Sequence, residues 1–301
     1  QKRGVLVMDF TLNITFYVYI AAIVAYVVRE VWRAKTLRWI AFGVFTGAFV
    51  LNTILVLTRW FEAHHAPMSD KYESFVFFAF TIAGVYLIME LVTIFIARVH
   101  ESRLGIVGAL QSLLAVWMIH SAMNTDSTIK ELPPALQSNW LVVHVINYFV
   151  SYSAMSISFS AAIIYLIYRA IYRGRAQEIV MSGSESQLRK DVTFDKLAYI
   201  SVTIGFPFLT VGLITGSIWA KGAWGTYWGW DPKETWSLIS WLVYLSYLHL
   251  PMILPKTKIK KTFAPILLSI VLLIAFPIVL FTFMGMHKLP TASDSDHIYA
   301  E

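Results

Sequence analysis

Between Trp219 and Trp241 the chain reads WAKGAWGTYWGWDPKETWSLISW, a stretch that holds six of its 11 tryptophans. An indole buries a large flat ring while its N–H stays wet, so one or two tryptophans at a membrane surface are ordinary anchors. Six exceed what anchoring needs. Gly222, Gly225 and Gly229 space the rings and let the backbone come close to a ligand. The pattern predicts a flat aromatic shelf for a large planar apolar guest. Trp224, Trp228 and Trp230, beside these glycines, are the expected contacts, while Trp219 and Trp241 read as packing within the bundle. The stretch closes on Asp231, Pro232 and Glu234, which fit the N-cap, first and third positions of a following helix.

The chain has 8 histidines, and their depths separate them. His144 lies one turn inside the apolar run 140–168, and His287 closes the run 264–286 at the same surface. An imidazole from each side could supply the two axial bonds of a six-coordinate iron in a planar macrocycle such as heme. Each could equally be a side chain snorkelling to the interface. From His144 onward Asn147, Tyr148, Ser151 and Met155 recur at helical spacing, a polar lining inside an apolar helix. His249 follows Thr235 by roughly 14 residues, which is about 21 Å along a helix at its usual rise. An ionisable group at that depth marks a functional site. Glu90, at comparable depth, is expected to be protonated or to pair with a polar group of the seventh or eighth helix. His120 is expected to border the first site, and His64, His100 and His297 to be solvated loop residues.

The elements that must position these groups are membrane helices. A chain of 301 residues that is 57% hydrophobic and 14% charged, with mean hydropathy +0.63, fits a polytopic membrane protein. Apolar runs of spanning length fall near 11–28, 39–58, 74–97, 105–122, 140–168, 197–218, 235–254 and 264–286. The fold class expected is therefore all-α, one bundle of about eight transmembrane helices over residues 1–301, with the Trp-rich segment 219–241 external. The segment 169–196, which includes MSGSESQLRKD, reads as a mobile cytoplasmic loop. Pro207, Pro251 and Pro277 fall inside apolar runs.

Net charge is +6, but the basic residues sit in short loops rather than on one face, which excludes a nucleic-acid surface. Most of the 24 follow the first, third, fifth and seventh helices, so the positive-inside rule predicts both termini and the Trp-rich loop outside the cytoplasm. Cysteine is absent, which excludes thiolate ligands and thiol nucleophiles in this chain. Any heme is then held non-covalently, and thiol chemistry belongs to a partner.

The run WGTYWGWDPKETWSLISWLVYLSYLH resembles the tryptophan-rich signature of the heme-handling proteins of cytochrome c biogenesis, and DPKETWSLI resembles its CcsA (ResC) branch. A second segment, RWFEAHHAPMSDKYESF, is similar to another signature of that branch through His65, Pro67, Ser69, Tyr72, Glu73 and Ser74. Asp70 stands there in place of the usual Asn, and Ser69 or Asp70 would also simply cap the third helix. The resemblance implies that His144 and His287 are axial ligands of an external heme b and that Asp231 and the tryptophans hold it. It implies that His249 ligates a second, membrane-embedded heme. At His287 only Gly285 and the histidine itself match the family pattern.

The activity so implied is presentation of heme at the outer membrane face and, with a CcsB (ResB) partner, its thioether attachment to the CxxCH motif of apocytochrome c, in a bacterial plasma membrane or a thylakoid. A thiol-reducing partner is implied as well. The rival readings are a CcmC-like protein that loads a heme chaperone and a b-type heme electron carrier; Lys233, Glu234, Thr235 and Trp236 favour the CcsA branch over the first.

Overall fold

A computed structural model describes residues 2–32, 34–93, 104–172, 185–257 and 263–285. They form eight long helices: α1 (Lys2–Trp32), α2 (Lys35–Ala63), α3 (Lys71–Leu91), α4 (Leu104–Met123), α5 (Asn139–Tyr172), α6 (Glu185–Trp224), α7 (Pro232–Ile253) and α8 (Ala264–Leu280), which ends in a π turn, Phe281–Gly285. A 3-10 turn, Pro134–Leu136, lies in the connection between α4 and α5. All eight contain a segment long and apolar enough to cross a membrane, and no strand occurs among the described residues. In hydrocarbon each backbone N–H must find its acceptor within the chain, and a helix does this locally.

Two ends of helices extend beyond the apolar runs. The segment expected as a loop over 169–196 is helical up to Tyr172 and again from Glu185, and residues 173–184 lie outside the described part. The polar sequence there hides a helix that needs no apolar face, since it continues a neighbour already nucleated. Pro207, Pro251 and Pro277 are all inside helices.

With most helices apolar on every side, small and aromatic residues set the packing. Tyr26, Phe45 and Tyr86 join α1, α2 and α3 through edge-to-face rings 5.2–5.9 Å apart. α4 closes this group because Gly108 leaves room for the Tyr26 and Tyr86 rings. α5 sits centrally, touching α3, α4, α6 and α8, with its longest contact along α6. Its buried serines, Ser153, Ser156 and Ser158, bond back to carbonyls of their own helix, and Ser156 and Ser160 also grip Gln111 of α4 at 2.7 and 2.9 Å.

Glu90 is paired chiefly by α1, not by the seventh or eighth helix. Arg29 donates to one carboxylate oxygen at 3.0 Å and the Tyr26 hydroxyl to the other at 2.5 Å. The pairing joins residues 61 and 64 positions apart, a distance over which hydrophobic periodicity carries no information.

The close seat of α4 is testable. A Cβ at Gly108 would lie 2.5 Å from the Tyr86 oxygen and 2.7 Å from the Tyr26 ring. Gly108→Ala is expected to cost about 1–3 kcal/mol of stability, as overpacking does, read as a lower thermal midpoint in detergent. An unchanged midpoint would show that the α1–α3–α4 contact is looser than described.

Candidate functional site

His144 is positioned by the contact of α5 with α6. Its Nδ1 lies 2.8 Å from the Gly212 carbonyl. A carbonyl can only accept, so Nδ1 is the donor in this contact; in a neutral ring Nε2 is then the nitrogen that carries the lone pair, the arrangement of a metal-ligating histidine whose other nitrogen is held by backbone. The Trp219 ring stacks over the imidazole at 6.1 Å and 21°, and Tyr148 meets it edge-on at 4.7 Å. This approach exists because α6 carries Gly212-Leu-Ile-Thr-Gly216. A Cβ at Gly216 would stand 2.5 Å from two atoms of the imidazole, and one at Gly212 would stand 2.7 Å from the Tyr148 ring. Tyr148, Ser151 and Met155 are buried as their spacing predicts, whereas Asn147 bonds back to the Val143 carbonyl at 2.8 Å.

In front of His144 opens a cavity of about 240 Å³. Its walls are mostly apolar and come from six places: α5, the end of α6 with the Trp-rich loop, the start of α7, the turn that ends α8, the loop at Met68 with the start of α3, and the segment at Pro133. Trp219, Trp224 and Trp228 line it. They do not form one flat shelf: Trp224 stands edge-on to Trp219 at 4.7 Å and 68°, and Trp228 to Trp230 at 5.7 Å and 86°. Edge-to-face contact is the favoured arrangement of ring quadrupoles, and it turns the tryptophans into walls of different orientation. The Trp228 Nε1 is buried without a hydrogen-bond partner among the described residues. Trp230, in contrast, is 69% exposed, has φ 59° and is absent from the lining.

Trp219 does more than the packing expected of it. It lines the cavity, is only 5% exposed, and donates from Nε1 to the Ala135 carbonyl at 2.8 Å, holding the Pro134–Leu136 turn against the site. Trp241 packs as expected, on Phe206 and with its Nε1 on Thr210 at 2.9 Å.

The loop itself is built by its polar residues. Gly225, at φ 83°, accepts the left-handed conformation that ends α6. Its N–H returns to the Lys221 carbonyl at 3.1 Å. Asp231 then caps α7, accepting from the Lys233 N–H at 2.7 Å, while Glu234 accepts from the Gly229 and Asp231 N–H groups at 2.8 and 3.2 Å. Asp231 does not line the cavity; Lys233 and Glu234 do.

The second signature segment borders the same cavity. Met68, Ser69 and Ser74 line it. Asp70 caps α3 by accepting from the Glu73 N–H at 2.7 Å, and Glu73 accepts from both the N–H and the hydroxyl of Ser69. Buried Arg59 of α2 ties the segment down, reaching Glu73 at 2.8 Å, Asp70 at 3.2 Å and the Ser127 carbonyl at 2.7 Å. Burial, reinforced by the neighbouring Glu73 carboxylate, raises the Asp70 pKa above its ordinary value despite Arg59.

His287 lies outside the described residues; Thr282 and Phe283 of the preceding turn line the cavity. His249 is remote from it, on an exposed flank of α7 with Nδ1 2.8 Å from the Leu245 carbonyl. His120 does not border the cavity: it packs against Phe16 of α1 and beside Asn124. Among the described residues no group of three or more His, Cys, Asp or Glu could hold a bare metal ion. Sequence reasoning missed Lys233, Ser237, Thr282 and the Pro133–Leu136 segment as cavity walls; the helical spacing of Lys233 and Ser237 was the one available signal.

The profile of the family described as Cytochrome C assembly protein matches residues 68–289, a span that holds His144, the Trp-rich loop and the cavity-lining end of the second signature segment. The cytochrome c biogenesis protein CcsA of Guillardia theta is 32% identical over 259 residues, covering 81% of this chain and 83% of its own. That of Mesostigma viride is 34% identical, over 79% and 80% of the two chains. The chain belongs to the CcsA family of cytochrome c assembly proteins. Its cyanobacterial and algal relatives, such as the CcsA of Synechococcus elongatus at 34% identity over 65% of this chain and 70% of its own, agree with a multi-pass membrane protein. The fold is shared with the cytochrome c heme lyase CcmF at TM-score 0.64 and 17% identity, over 94% of this chain and 49% of that one. Within the matched span, residues on either side of the start of α3 and of α7 meet at one cavity, although the two segments are far apart in sequence.

Two variants test the site's construction. Gly216→Ala places a methyl where the imidazole stands, so it is expected to displace His144 and to change ligand binding at the cavity as removal of the imidazole does; wild-type binding in Gly216→Ala would contradict the seat. A raised Asp70 pKa means that its charge costs stability once the pH exceeds the value of the unfolded carboxyl. Asp70→Asn, which keeps an acceptor for the α3 cap, is therefore expected to be neutral or up to about 1 kcal/mol stabilising near pH 7, with the gain vanishing on acidification. A destabilisation that grows with pH would reverse the sign.

Proposed function

We propose that this protein binds heme b in the cavity before His144 and presents it, at the outer membrane face, for attachment to apocytochrome c. The observation that carries this reading is the seat of His144 in the cavity wall with its Nδ1 on the Gly212 carbonyl, the arrangement in which a neutral imidazole offers its other nitrogen to an iron. Trp224 and Trp228 supply the apolar walls for the macrocycle. His287 is the second axial ligand, and Asp231 acts by fixing the start of α7. The basic residues concentrated after the first, third, fifth and seventh helices support a cavity that faces away from the cytoplasm.

Heme is the substrate here, and its vinyl groups are the reacting parts. Each thiol of a CxxCH motif adds across a vinyl double bond: a carbon–sulfur bond forms, the thiol hydrogen passes to the other vinyl carbon, and no external oxidant or reductant is consumed. A chain without cysteine contributes by holding the heme edge against those thiols, so its effect is one of proximity and orientation. A thiol-reducing partner keeps the substrate's cysteines available.

The position of His249 supports a second heme shared with a CcsB-like partner. It stands on the flank of the helix with the smallest buried share among the eight spans, where a transmembrane helix of another protein could bring the opposing ligand.

Removing the imidazole tests the proposal. His144→Ala, expressed with heme, is expected to yield protein with a reduced and exchangeable Soret absorbance and to mature little cytochrome c, and added imidazole is expected to restore part of both. Wild-type heme content and maturation in His144→Ala would remove this histidine from the mechanism.

A further inference from the structure

Among the described residues, the cavity lining carries one lysine and no arginine, Lys233 being its basic side chain besides the His144 imidazole. The lysine stands at the second position of the 22-residue α7, with its backbone N–H fixed by Asp231 at 2.7 Å. The first-turn amides of such a helix add a partial positive charge at the same end. Glu234, the one carboxylate among these lining residues, is already the acceptor for the Gly229 and Asp231 N–H groups, which spreads its charge into the backbone of the loop. The walls are otherwise mostly apolar, with Leu213, Phe149, Phe283 and the tryptophans prominent among them.

A heme b molecule is chemically lopsided. Its two carboxylates sit on one edge of the macrocycle and its two vinyl groups on the opposite side. Taking a carboxylate out of water among apolar walls is costly unless a cation or several N–H donors receive it. Resting on the reading of this cavity as a heme site, we propose that Lys233 receives a heme carboxylate and so decides which edge of the macrocycle faces α7. With the acid edge drawn to the start of α7 the vinyl edge is turned away from it. Lys233 is thus the specificity-determining residue for orientation, while His144 determines depth. His144 alone does not fix orientation, because a heme can spin about the bond between its iron and one nitrogen; a charged contact at the periphery removes that freedom.

The test compares heme b with its dimethyl ester, in which both carboxylates are masked while iron, macrocycle and vinyl groups are unchanged. The full chain in detergent is loaded with each, and release to excess apomyoglobin is followed at the Soret band. A hydrogen bond to a charged group contributes enough that wild-type protein is expected to hold heme about tenfold longer than the diester. In Lys233→Met, which removes the charge and keeps an unbranched apolar stem, the two release rates are expected to fall within about twofold of each other, and Lys233→Arg is expected to restore the difference. A Lys233→Met protein that retains the wild-type ratio overturns the proposal, as does wild-type protein that releases both compounds alike. Binding of neither compound by wild-type protein would instead overturn the reading of the cavity as a heme site, a distinct outcome.

Discussion

The hydrogen bond from His144 to the Gly212 carbonyl can form only if a helix backbone comes within 2.8 Å of an imidazole on its neighbour, and much of the site's geometry depends on that approach. Between two transmembrane helices lipid supplies no hydrophobic drive, so closeness has to come from small residues at the seam. Gly212 and Gly216 provide it, one under Tyr148 and the other under His144. The same contact carries Trp219 over the imidazole, and Trp219 in turn anchors the Pro134–Leu136 turn through Ala135. A single helix seam therefore places an imidazole, an aromatic wall and a piece of the surrounding loop.

Two polar clusters complete the enclosure at low cost to the apolar interior. Arg59 gathers Asp70, Glu73 and the 127–128 backbone into one knot, and the capping box of Asp231 and Glu234 closes the Trp-rich loop onto α7. Each charge in these clusters answers a backbone donor or acceptor that would otherwise be stranded at a membrane boundary. The result is a cavity whose walls are apolar and whose frame is polar, suited to a guest with a flat apolar body and a charged rim.

What can be read in the sequence follows from the range of the interaction. Helix spans are legible because hydrocarbon thickness demands about 20 apolar residues, and the caps at Asp70 and Asp231 because a cap acts within three residues. His144 is legible from its depth and from the buried face it shares with Tyr148, Ser151 and Met155. The partner of its Nδ1 is not, since that is a carbonyl 68 positions away. The same limit gives Glu90 the wrong partners, leaves Trp219 as plain packing, and lays the tryptophans flat when neighbouring rings in fact meet edge to face. The second signature segment is recognisable by resemblance, yet only the bundle shows that Met68, Ser69 and Ser74 face the same cavity as Trp224 and Trp228. Polar helical extensions such as the start of α6 at Glu185 escape because a helix outside the bilayer leaves no long apolar run.

A heme held as proposed has its iron bonded to His144 in the cavity between α5, α6 and the Trp-rich loop. The most direct measurement is an electron cryo-microscopy map of the heme-loaded protein, alone or with its partner. Macrocycle density is expected between Trp224 and Trp228, with iron bonded to Nε2 of His144 and Nδ1 still on the Gly212 carbonyl. Heme density elsewhere in the bundle, with the cavity closed around an imidazole that touches no iron, would contradict it.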